Sequence, residues 1–160
     1  MARFFLLVLI IAVSTAGCDA LGREKVDVGP RKDMLEPVNK ARRIARACGS
    51  RQYEPATAVV WNDKLAEAAL RHAQDVALTG KVGHVGSDST GPDTRVRDTG
   101  YSFEFVGEIL ATGSRSADEV MEGFLNSPGH CSVLMSDRYS EAGAAIAGGR
   151  VWTIVFASPK

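Results

Sequence analysis

Apolar residues recur at helical spacing through Met34, Leu35, Val38, Ala41, Ile44 and Ala45, with Arg42, Arg43 and Arg46 on the other side. The pattern predicts a first helix that starts near Asp33 and ends around Cys48-Gly49, where glycine suits the position after a C-terminus. Residues 50–57 read as loop. Asn62 then offers a side-chain acceptor to the free amides of a second helix, with Asp63 in its first turn. Leu65, Ala69, His72, Ala73 and Val76 form the buried stripe of that helix until Thr79-Gly80 stops it. His72 reads as a hydrogen-bonded core residue and is left out of the candidate site. The alanines around it predict close packing against neighbouring elements.

From Lys81 to Thr99 the chain carries Gly, Ser, Asp, Thr and Pro with little apolar period. This predicts a long surface segment, and such segments in compact domains are often functional. Asp88 and Asp93 do not follow the spacing of a calcium loop and read as turn-forming acids. Residues 101–111 read as extended. Ser116-x-x-Glu119 is a capping-box pattern opening a helix through Asn126, with Val120, Phe124 and Leu125 as its apolar contacts. Pro128-Gly129 ends that helix and presents His130 at the turn. Two strands close the chain, 141–147 and 151–157, joined by Gly148-Gly149 in a tight hairpin. The first is almost wholly Gly, Ala and Ile, so a helix layer can lie close to it. The second is apolar on both faces, which predicts a central strand covered on both sides.

The head of the chain is patterned differently. Arg3 precedes a continuous apolar run, Phe4 to Val13, about half the roughly 20 residues needed to span a bilayer. It reads as an export signal and not an anchor. Ser14-Thr15-Ala16-Gly17-Cys18 resembles a bacterial lipobox, so residues 1–17 are expected to be removed and Cys18 to become the lipidated first residue. Cleavage after Ala16, leaving Cys18 as a free or paired thiol, is the alternative. Residues 18–32 mix charge with Gly and Pro and read as a tether between membrane and domain. One domain is expected over 33–160.

Three cysteines are an odd number for an exported chain. Lipidation of Cys18 leaves Cys48 and Cys131 as one pair, closing a loop of about 80 residues that the chain-entropy model values at roughly 4–5 kcal/mol. Two buried free thiols are the alternative. Among the 160 residues, 19 basic side chains balance 19 acidic ones, and removal of residues 1–17 takes away only Arg3. With no basic stripe, nucleic acid is not an expected partner.

The candidate chemistry lies in three separated signatures: Gly83-His84, Gly107-Glu108 and Ser127-Pro128-Gly129-His130. With Leu65-Ala66-x-Ala68-Ala69-x-x-His72-Ala73, Arg95-x-x-x-x-Gly100-Tyr101 and Trp152-Thr153, they resemble the bacterial pattern of the CAP domain, or SCP-like, family. The resemblance runs from Met34 to Phe156. It implies an α/β fold, a three-layer α/β/α sandwich with a mostly antiparallel central sheet. It also implies a central cleft lined by His84, Glu108 and His130, whose histidines bind a divalent metal in some members. Eukaryotic members carry a further glutamate where alignment on Phe124 places Ser127. Three family positions are replaced here by Ile109, Phe124 and Ile154. Ile109 and Ile154 imply either a greasier cleft or a tighter core.

Two histidines and a glutamate are also a ligand set of catalytic zinc, with an open position able to activate water. Against a metal-dependent hydrolase (protease or esterase) stand the lack of a His-Glu-x-x-His helix and of a marked nucleophile; Ser87, Ser127 and Cys131 sit in no reactive motif. The favoured expectation is therefore a binding or interaction module, monomeric and lipid-anchored at the cell envelope, periplasmic or on the outer surface. Its cleft would take zinc, a lipid, a glycan or a protein ligand.

Overall fold

The structure is a computed structural model that describes residues 27–160. The expected signal over 1–17, Cys18 and most of the tether lie outside the described residues.

The central sheet contains β1 (Gly29–Pro30), β4 (Val60–Trp61), β5 (Phe103–Thr112), β6 (Glu141–Ala147) and β7 (Val151–Pro159). Its order is β1-β6-β7-β5 with antiparallel neighbours, and β4 adds the one parallel pairing, to the start of β6. Strand β7 is central, as its two apolar faces require. Trp152, Ile154 and Phe156 face one core cluster, whereas Val151, Val155 and Ala157 face the other side. On the first side lie α1 (Leu35–Arg42), α4 (Ala117–Asn126) and α5 (Pro128–Leu134); on the second lie α2 (Asp63–Thr79) and α3 (Pro92–Asp98). The result is the expected α/β/α sandwich. It leaves β5 as an edge strand.

Local chemistry accounts for the elements that the sequence places well. The Asn62 side chain accepts from the amides of Lys64 and Leu65, and Gly80 adopts φ 69° to close α2. Helix α2 lies so close to β6 that a Cβ at Gly143 would overlap the backbone of Leu65 and Ala66. At the start of α4, Ser116 accepts from the Glu119 amide, while the Glu119 carboxylate reaches the amide of Arg115.

Elsewhere the structure corrects the sequence reading. The first helix ends at Arg42, not Cys48; β2 (Arg46–Cys48), expected as the end of that helix, pairs with β3 (Arg51–Tyr53), where a loop was expected. Arg42 was placed on the polar side and is fully buried instead. Its guanidinium donates to the carbonyls of Thr57, Leu134, Ser136 and Tyr139. Ile44 was counted as apolar stripe and is 56% exposed, because the chain has already left the helix. The expected 81–99 surface segment contains α3, opened by Pro92 at its first turn. Pro128 likewise begins a helix, so His130 stands in the first turn of α5 and not on a bare turn. Within the expected tether, Gly29 and Pro30 pair with Ile146 and Ala145 of the sheet. The expected pair is present as a disulfide, Cys48 to Cys131, joining β2 to α5.

Candidate functional site: a buried Glu108 ion pair beneath an exposed histidine

Glu108 lies in β5 on the face turned toward α2, alternating with Ile109, whose side chain enters the opposite core. Its side chain is 1% exposed, so its charge needs a partner inside the protein. Arg95, from α3 and equally buried, supplies it: Nη2 lies 2.9 Å from Oε2 and 3.1 Å from Oε1. The same guanidinium donates through Nη2 to the His84 carbonyl at 3.0 Å and through Nη1 to the Thr90 carbonyl at 2.6 Å. Arg95 therefore pins both ends of the 84–90 segment to the strand that carries Glu108.

The rest of that segment is held from α2. His72 Nε2 lies 2.7 Å from the Gly83 carbonyl, which can only accept, so the proton of this ring sits on Nε2. The same nitrogen is 3.6 Å from Glu108 Oε1. Asp75 accepts from the amide and hydroxyl of Ser87, and Asp88 accepts from the Thr90 amide and from Arg71. Asp88 thus acts as the turn-forming acid expected, whereas Asp93 pairs with Arg97 in the first turn of α3.

His84 emerges from this scaffold with its side chain 53% exposed. Its Nδ1 donates to Glu108 Oε1 at 3.0 Å, which turns Nε2 away from the carboxylate. That hydrogen bond raises the imidazole above its usual range, against a smaller opposing effect of partial burial. His130, half-buried across the edge of β5, meets Phe124 edge-on with ring centroids 5.3 Å apart. Burial first, and then the charge of His84, push His130 below the ordinary histidine range. One imidazole is thus biased toward the cation and its neighbour toward the neutral form.

The structure brings His84 and Glu108 into contact and sets His130 within electrostatic reach of His84. Ser127 lies at the break between α4 and α5; its carbonyl accepts from the Cys131 amide, and its hydroxyl makes no hydrogen bond to the cluster among the described residues. Ile109 and Ile154 are 0% and 2% exposed and tighten the core without lining the cleft. Cys131 is committed to the disulfide and supplies no nucleophile.

As a metal ligand set, the three expected residues do not fit well. Both Glu108 oxygens are already occupied by Arg95, and among the described residues no group of three or more His, Cys, Asp and Glu side chains is arranged to hold a metal ion. Two residues were missed as members of the site. Arg95 was read only as part of a landmark, although a carboxylate set against the apolar Ile109-Leu110-Ala111 run of a strand calls for a buried cation. His72 was read correctly as a hydrogen-bonded core residue, and its place beside Glu108 had no signal in the sequence.

Fold and site together define a three-layer sandwich with a buried Glu108–Arg95 pair, capped by the half-exposed His84, on the edge strand of its sheet. The family model of the cysteine-rich secretory protein family, CAP, matches residues 35–157, and the chain belongs to that family. Among curated proteins it is 24% identical over 96 residues to the uncharacterized protein YkwD of Bacillus subtilis, covering 59% of this chain and 37% of that one. Among solved structures it resembles an extracellular SCP-domain protein of Bacillus anthracis, with a TM-score of 0.62 and 20% identity over 64% of this chain and 34% of that one. It also resembles an outer surface protein of Borrelia burgdorferi, with a TM-score of 0.64 and 20% identity over 80% of this chain and 88% of that one. The chain spans little more than a third of the length of the first two relatives.

Proposed function

We propose that this chain is an exported binding module, held at the cell envelope by a lipid on Cys18, whose cleft between His84 and His130 captures a ligand without turning it over. The observation that carries the reading is the state of Glu108. A carboxylate already neutralised by a buried arginine is a poor general base, since protonating it would leave the Arg95 charge unpaired. The cluster offers a fixed, half-exposed imidazole instead. Such a group donates or accepts one hydrogen bond to a lipid headgroup, glycan or protein ligand. Export is supported by the apolar run before Cys18, and by the Cys48 to Cys131 disulfide, which persists in oxidising compartments. The names of the Bacillus anthracis and Borrelia relatives, extracellular and outer surface, agree with it.

The test is native mass spectrometry of the exported protein for bound lipid, glycan or metal, followed by assays of ester, peptide and glycan hydrolysis. The expected result is a retained ligand, lost in the His84→Ala/His130→Ala double variant, with no turnover by the wild type. Turnover abolished by His84→Ala would replace this reading with the hydrolase.

A second use of the two imidazoles is favoured by the hydrogen bond from His84 Nδ1 to Glu108, which leaves Nε2 of the neutral ring as a free lone pair. Zinc on His84 Nε2 and His130 would then be weakly held, having lost Glu108 to Arg95. Calorimetry at neutral pH should give one site, abolished by either His84→Ala or His130→Ala. A heat signal unaffected by both would remove the metal from the cleft.

A further inference from the structure

One end of the sandwich gathers features that the cleft does not use. The Asp27 carbonyl accepts from the Gly149 amide at 3.0 Å, so the chain enters the domain beside the β6–β7 turn. A Cβ on Gly148 of that turn would lie 3.2 Å from the Ala77 side chain, so the last turn of α2 is at the same end. The carboxyl end of β5 is there too, since Thr112 pairs with Val151 and the Gly113 amide donates to the Arg150 carbonyl.

Exposed aliphatic side chains collect at this end. Leu78 is 87% exposed, Val82 is 63% and Val28 is 50%, three of the seven large hydrophobic side chains exposed among the described residues. Lys81 and Arg150 are exposed among them, and neither forms an ion pair among the described residues. Asp27, the nearby acid, is paired with Arg31 at 2.7 Å. Aliphatic tips rimmed by unpaired cations are the chemistry of a surface that rests in the headgroup region of an anionic bilayer. Among the described residues no helix is long and apolar enough to cross a membrane, so the contact would be peripheral. Cys18 stands nine residues before Asp27 in the sequence, so the expected lipid would join the domain from this end.

We propose that the end of the domain carrying Val28, Leu78, Lys81, Val82 and Arg150 docks on an anionic lipid surface. The proposal rests on the anchoring reading above for its natural tether. In that orientation the strands stand away from the bilayer. Glu108, four residues back from the end of β5, is then held about 13 Å above it.

Hydrogen exchange of the tethered protein tests the docking. The exported chain is attached to vesicles through Cys18, by its own lipid where intact mass detects one and otherwise by coupling the free Cys18 thiol to a maleimide lipid. On phosphatidylglycerol-containing vesicles, amides of the 79–85 and 148–150 segments should exchange severalfold more slowly than in the untethered chain, and those around 158–160 should not change. The protection should be lost in Leu78→Asp/Val82→Asp and weakened by Lys81→Glu or by high salt. Unchanged exchange at 79–85, or protection found instead at 158–160, would overturn the docking. The mass of Cys18 separately decides the natural anchor.

Discussion

Glu108 and Arg95 form a charge pair that neither residue can leave without cost. Removing one partner of a buried pair strands the other charge, at about 3–5 kcal/mol, whereas replacing both by apolar groups of similar volume is often neutral. Arg95→Met should therefore lower the unfolding free energy by about 3–5 kcal/mol in urea titrations, and Arg95→Met/Glu108→Leu should recover much of that loss. A loss for Arg95→Met no larger than the roughly 0.5 kcal/mol typical of surface substitutions would mean the pair is hydrated. The two cleft histidines make a second prediction, because their shifts have opposite signs. For His84 the folded state favours the cation, so its contribution to stability is fully present below the unfolded pKa of about 6.5 and is lost as pH rises through the folded midpoint. For His130 the folded state favours the neutral ring, so its contribution is present above about 6.5 and is lost as pH falls toward the folded midpoint. Proton NMR of the imidazole C2 hydrogens should place His84 above and His130 below the ordinary value, with His130 moving up in His84→Ala. Coincident midpoints would remove the Glu108 hydrogen bond and the mutual repulsion together.

Elements whose ends are set by their own residues were legible; those set by distant partners were not. Asn62 and Gly80 bracket α2, and Gly148-Gly149 turns β6 into β7, so the local sequence suffices. The end of α1 was hidden because Ile44 and Ala45 continue the apolar period after the backbone has left the helix. Beyond it the chain is taken up by pairing with residues 51–53, and Arg42 at the helix end is buried by carbonyls of residues 57, 134, 136 and 139, all distant in sequence. Helices α3 and α5 have seven residues each, too few to display a period, and only a proline announces each. The contact of α2 with β6 yields a paired prediction. Gly143→Ala would force α2 off the sheet and should prevent the native urea transition altogether. Gly123→Ala, in an exposed position of α4 with open space around it, should instead stabilise by about 0.5–1 kcal/mol. Equal effects of the two would contradict the close approach. The disulfide makes the second comparison at this scale. It spans 83 residues, for which loop entropy gives about 4–5 kcal/mol. Cys48→Ser should lower stability by a few kcal/mol, and by less than that ceiling where the unfolded chain keeps residual structure. A reductant should shift the wild-type urea midpoint and leave that of the variant alone.

At the scale of the whole molecule, the site depends on the sandwich being open at β5. His84 comes from the α2 side of the sheet and His130 from the α5 side, and an uncovered edge strand lets the charge of one imidazole act on the other. The three motifs made that convergence legible as a resemblance; the buried arginine that takes Glu108 out of solution depends on α3, which the sequence concealed. Among the described residues both core layers are assembled from residues after Asp33, and the family match runs over residues 35–157, so a change at Cys18 is expected to leave the fold intact. Cys18→Ser should therefore separate anchoring from folding. Labelled palmitate should enter the wild type and not the variant, and the variant should move from the membrane fraction to the soluble exported fraction. Its urea midpoint should match that of the wild-type chain measured in the same detergent. A mature wild type that begins at Gly17 with no lipid mass would cancel the anchor, and a variant that unfolds earlier than the wild type would mean that the segment before Asp27 belongs to the fold.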